Sequence, residues 1–267
     1  MRGLFDLYLA QFRTTIAVQL QYRAALIIWL IETILEPLIY MIVWSTVARA
    51  GQGSVADYAP RDFAAYYILF MLVNHITFTW IMWEFEFRVR QGYLSGLLLR
   101  PIHPIHRDIA ENMTYKALTL TVMLPTAAVL TWLFDPAFQF SRRTISLFIV
   151  SVVLAFLMRF LLEWTLALAA FWTTRTSAIN QMYYVVMMFL SGEIAPLALL
   201  PEPMQQVAHL LPFRWMLGFP VEIGLNRLTP VEIQHGILIQ VVWIVLATGL
   251  MRFFWSRGLR RYSAVGA

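Results

Sequence analysis

Charged side chains set inside apolar stretches are the first residues in this chain that need an explanation. Glu32 and Glu36 stand four apart, with Pro37 directly after, and Arg159 and Glu163 repeat that separation. Four residues is close to one helical turn, so each pair shares a helix face. Ionisable groups in such surroundings are costly and need a partner or a purpose. Arg159 and Glu163 suit a helical ion pair that fixes packing, with a glutamate of the first stretch as a further partner. Glu32 and Glu36 suit either packing or the lining of a path for a polar group. Asn74, His75, Asn180 and Gln181 are further polar residues for such a path. Reaction chemistry has little to draw on. There is no G-x-x-x-x-G-K-[ST] phosphate loop, and the single lysine, Lys116, follows Met113-Thr114-Tyr115. With no cysteine, thiolate catalysis and disulfides are excluded. No H-E-x-x-H occurs. His103 and His106 flank Pro104 and read as contacts to lipid headgroups or a partner, not as metal ligands. The chain is expected to bind no cofactor and no metal and to hydrolyse no ATP itself.

Membrane helices must carry these groups. Of 267 residues, 60% are hydrophobic and 13% charged, against roughly 25% charged in a soluble domain. The mean hydropathy is +0.67. So few charges exclude a soluble globular protein, and so much apolar surface excludes disorder. The net charge of +5 fits basic ends against anionic lipid better than it fits nucleic acid. A span needs about 20 mostly apolar residues. Six stretches qualify: Ala24–Ala48, Phe63–Trp83, Met113–Phe134, Ile145–Trp172, Ile179–Leu200 and Ile237–Trp255. The alternation of a β-barrel is absent. An even number of spans puts both termini on one side. On that side lie Arg2, Arg13, Arg23, Arg88, Arg90, Arg100, Arg107, Lys116, Arg175, Arg252, Arg257, Arg260 and Arg261. Opposite them lie Arg49, Arg61, Arg142, Arg143, Arg214 and Arg227. The excess marks the terminal side as cytoplasmic.

The connecting segments are informative. In residues 1–23, Phe5, Leu9, Phe12, Ile16 and Leu20 share a face opposite Asp6, Thr14 and Gln21, the pattern of an interfacial amphipathic helix. In residues 84–112 a charged helix continuation leads to Gly92 and Gly96, which loosen it, and to Pro101 and Pro104, which end it. Between them a short amphipathic piece carries Tyr93, Leu94, Leu97 and Leu98 on one side. It could rest on the lipid surface or enter a groove of a soluble partner. Residues 191–232 are half apolar and hold five prolines up to Pro220. That composition suits short re-entrant helices in the outer leaflet better than a watery loop.

Three stretches carry a family likeness: Arg90 to Pro104, Ser191-Gly192 through Leu211-Pro212-Phe213, and the tail Gly258 to Gly266. In order and spacing the chain resembles the permease subunits of ABC-2 type exporters. Most similar is a bacterial group of comparable length that works beside a separate ATPase and a second, different permease. The resemblance implies one ABC-2 transmembrane domain over residues 1–267, an all-α integral membrane fold with six spans. It implies a coupling helix that sits on the nucleotide-binding subunit, with Arg90, Gly92, Tyr93, Leu94, Leu97, Leu98, Arg100 and Pro101 as coupling residues. Partners would be two copies of an ATPase subunit holding ATP and Mg, and a second permease, preferably a different one and otherwise an identical copy. Membrane lipids complete the set, with no nucleic acid. The location would be the bacterial cytoplasmic membrane, and the activity export of an amphiphilic or lipid-like substrate. The short outer segment departs from larger relatives. Two other readings stand beside this one: a proton-coupled carrier using Glu32 and Glu36, and a membrane enzyme acting on lipid, which lacks clustered catalytic groups.

Overall fold

The computed structural model describes residues 2–51, 53–138, 141–173 and 175–262. Among them no strand forms; helices follow one another with short connections. Helix α1 (Arg2–Gln21) and α2 (Arg23–Ala50) are separated only by Tyr22. A loop leads to α3 (Pro60–Thr77), and α4 (Ile81–Arg90) continues it after a three-residue break. The short α5 (Tyr93–Leu98) precedes the long α6 (Pro104–Phe134) and α7 (Arg142–Ala167). Then come α8 (Ser177–Leu190), three short helices α9 (Glu202–Leu210), α10 (Pro212–Met216) and α11 (Gly218–Gly224), and α12 (Pro230–Arg261). Proline opens α3, α6, α10 and α12, where its missing N–H costs nothing and its fixed φ suits the first turn.

Among the described residues, five helical stretches are long and apolar enough to cross a membrane: Ala24–Ala50, Pro60–Arg90, Pro104–Phe134, Arg142–Phe171 and Pro230–Arg261. They correspond to the expected spans one to four and six. The expected stretch Ile179–Leu200 differs. Helix α8 has 14 residues, about 21 Å at the usual rise. The chain leaves it at Gly192, whose φ of 92° suits only a residue without a Cβ. The carbonyls of Gly192 and Ile194 there accept the hydroxyls of Tyr66 and Tyr67, each at 2.7 Å.

Every residue of α3 from Phe63 to Met71 is buried, as a helix that is apolar on all sides should be. Helices α2, α6, α7 and α11 surround it, and α7 packs in turn on α12, α11, α10 and α4. The outer helices keep apolar side chains such as Ile28, Trp132 and Val245 exposed. Helix α1 lies against α6, with Thr15 buried and the Tyr8 hydroxyl 3.2 Å from Nδ1 of His106. Its Leu9, Phe12 and Leu20 stay exposed, so the apolar face is left for lipid and not spent on the bundle. The side chain of Phe5, assigned to the same face, lies outside the described positions, as do residues 263–266 of the tail.

Candidate functional site

Two polar constructions stand out, one at the end of the bundle that carries α5 and one in the middle of the bundle. The first holds α5. Gly92, at φ 74°, turns the chain sharply after α4. Leu94 and Leu97 of α5 are buried against a cluster that includes Phe85, Trp164 and Phe171. Beneath them Arg88 is buried and paired with Asp108 at 2.6 Å and Glu84 at 2.9 Å. Asp108 also accepts the Trp164 indole N–H at 3.0 Å. This knot joins α4, α6 and α7. The Ser95 hydroxyl meets that of Tyr262 at 2.9 Å, which ties α5 to the end of α12. Glu86 accepts both the backbone N–H and the hydroxyl of Thr176, at 3.1 and 2.6 Å, which ties the start of α8 to α4. Outward, the same piece exposes Tyr93 (62%) and Leu99 (87%), together with Phe87, Arg90, Arg100 and Pro101. A well-anchored base thus carries an apolar and basic tip that stays exposed among the described residues.

The second construction surrounds the break between α3 and α4. Residues Phe78 to Trp80 leave the helix, and their backbone groups need partners in a membrane interior. Lys116 of α6 donates to the Phe78 carbonyl at 2.7 Å and to Asn112 Oδ1 at 3.2 Å. The Thr79 hydroxyl donates to Glu163. Arg159 donates from Nε to Glu163 at 2.7 Å, and from Nη1 to Asn74 at 2.9 Å and Thr77 at 3.2 Å. The Tyr183 hydroxyl reaches Glu163 at 3.3 Å. Arg159, Glu163 and Lys116 are all buried. Such a network can pin a break; it offers no open position for a ligand. Among the described residues no group of three His, Asp or Glu is placed to hold a metal ion.

Residues 30–266 match the profile of a family described as ABC-2 family transporter protein. This chain belongs to the ABC-2 family. No curated protein matches it. Membership makes it a multi-pass membrane permease of the ABC-2 type, and ABC-2 membrane proteins generally pair with ATPase subunits.

The permease places the expected residues unevenly. Arg159 and Glu163 pair as their spacing predicts, but neither Glu32 nor Glu36 joins them; the further partners come from α3, the break and α8. Glu32 and Glu36 lie on the exposed face of α2. Asn74 and His75 are spent on Arg159 and, at 2.7 Å, on Thr119. Asn180 is buried against Thr176, while Gln181 is exposed. In the coupling set Leu94 and Leu97 face inward and Leu98 is half-buried, so the apolar side that was expected to meet a partner seats α5 on its own bundle. Tyr93, Arg90, Arg100 and Pro101 face outward. His103 and His106 find partners within the chain instead of headgroups: His103 accepts from the Ile105 N–H at 3.2 Å and lies 4.5 Å from the Trp255 ring. Burial, then the neighbouring His106, holds the His103 pKa below the usual histidine value. Lys116, counted among the cytoplasmic cations, sits inside α6. Its role as cap for the break was missed, because Phe78-Thr79-Trp80 contains neither proline nor glycine to announce one. Leu99, the most exposed large apolar residue of the tip, was missed because it falls just past the helical piece.

Proposed function

We propose that this chain is the permease subunit of an ATP-driven exporter that moves an amphiphilic or lipid-like substrate out of the cytoplasm by alternating access. ATP and Mg are held by two copies of a separate ATPase subunit, and a second permease, a different one by preference, completes the membrane part. The observation that carries this reading is α5: a short helix that follows α4, is seated among Phe85, Trp164 and Phe171 and is tied to the end of α12, with Tyr93, Leu99 and Arg100 exposed at its tip. A push on that tip moves the inner ends of several helices together. The α3–α4 break is where the inner half can tilt against the outer half. A sixth crossing is supported by α8, which starts beside Glu86 at the end of α4 and finishes beneath Tyr66 near the start of α3. Re-entry of the outer segment is supported by α11, whose Phe219, Val221 and Ile223 are buried against α3 and α7. The basic excess supports cytoplasmic termini, and the family supports the bacterial inner membrane as the location.

The test is co-purification with the ATPase. Tyr93→Asp with Leu99→Asp should detach the ATPase or uncouple its hydrolysis from transport while thermal stability stays that of the wild type. An unchanged complex with unchanged export would remove α5 from the coupling role. The proton-coupled alternative rests on Glu32 and Glu36, which both lie on the exposed face of α2. Flux abolished by an uncoupler at constant ATP would support that carrier against the exporter.

A further inference from the structure

At the outer end of the bundle α2 and α6 flank α3 without closing over it, and a partly enclosed cavity of about 150 Å³ remains between them. Its polar end is made by Arg49, Arg61, Ser45 and Thr46. The two hydroxyls already donate to the carbonyls of Pro60 and Ile42, at 3.3 and 2.7 Å. The remaining donors are the guanidiniums, and Arg61 is partly engaged: it pairs with the Asp135 carboxylate at 2.8 Å and donates from Nε to the Asp135 carbonyl at 2.7 Å. Arg49 has no ion pair or hydrogen bond among the described residues, so the mouth carries one surplus positive charge. The wall is apolar: Met41, Ile42 and Phe134. A much smaller cleft of about 10 Å³, lined by Pro37, Leu38, Met41 and Leu130, shares Met41 with it. Arg49 and Pro37 lie twelve residues apart on α2, about 18 Å.

We propose that this groove binds a lipid with a monoanionic phosphodiester headgroup, the phosphate on Arg49 and Arg61 and one acyl chain along Met41 toward Pro37. A free phosphate would use the two arginines but would leave the apolar groove empty. A neutral amphiphile would leave Arg49 unpaired. The inference rests on membrane embedding alone and is independent of what the permease exports.

Native mass spectrometry of the full-length chain, titrated with phosphatidylglycerol and with phosphatidylcholine, tests it. Phosphatidylglycerol should be retained in preference to phosphatidylcholine. Arg49→Gln should weaken retention about tenfold, as expected for loss of a charge-assisted hydrogen bond, and Arg49→Lys should keep most of it. Thr46→Trp, which fills the mouth and keeps every charge, should weaken it as much as Arg49→Gln. Arg142→Gln, an exposed outer arginine outside the cavity, should change nothing. Retention by Arg49→Gln and Thr46→Trp at the wild-type level would overturn the site. An equal loss in Arg142→Gln would replace it by diffuse charge attraction. Displacement of the lipid by excess inorganic phosphate would make it a free-anion site.

Discussion

Breaking the Arg159–Glu163 pair from one side leaves a buried charge without its partner, at a cost of about 3–5 kcal/mol. Arg159→Met should therefore lower the unfolding temperature in detergent sharply. Arg159→Met with Glu163→Leu should recover most of the loss, because two buried charges are then removed together. A single variant as stable as the double would show that the pair does not fix the bundle. Lys116→Met should cost about 1–3 kcal/mol, the price of an unpaired Phe78 carbonyl; unchanged thermal unfolding would leave the break without its cap. The Arg159–Glu163 pair was legible because both partners lie on one helix at a fixed separation. The rest of the network was not: Asn74, Thr77, Thr79, Lys116 and Tyr183 come from three other parts of the chain, and only the fold brings them to the same place.

Helix α5 shows how far an amphipathic pattern can be read. The pattern located the helix and its ends, since Gly92 and Pro101 act through local backbone geometry. It did not say which surface the apolar side would meet. The bundle offered Phe85, Trp164 and Phe171, and Leu94 and Leu97 went there. Leu94→Asp should consequently behave as a core lesion, with a charge forced into an apolar cluster: poor yield and low thermal stability of the chain by itself, before any ATPase is added. A Leu94→Asp chain as stable as the wild type would place that face outside the core. Helix α1 went the other way. Its apolar stripe stays exposed, as an interfacial helix requires, because Thr15 and Tyr8 supply its contact with α6. The stretch from Ile179 to Leu200 was apolar enough to read as one span, yet two tyrosine hydroxyls of α3 capture the backbone at Gly192 and Ile194 and end the helix early.

For the molecule as a unit, α2, α6 and α12 pack on α3 and α7, and among the described residues the tip of α5 and the outward side of α2 with Glu32 and Glu36 stay exposed. Carboxyl groups on a lipid-facing surface are costly, so that side of α2 calls for a second permease or a water-filled path. The absence of cysteine lets two spin labels be placed without background, one at Leu99 on the tip and one at Ala50 at the outer end of α2. Their separation, measured by pulsed electron resonance in the reconstituted transporter, reports directly whether the tip drives the bundle. It should change when ATP is added to the complex with the ATPase and should stay fixed when ATP is added to the permease alone. A separation that ignores ATP in the complex, or that shifts with ATP when no ATPase is present, would contradict a permease worked from outside through α5.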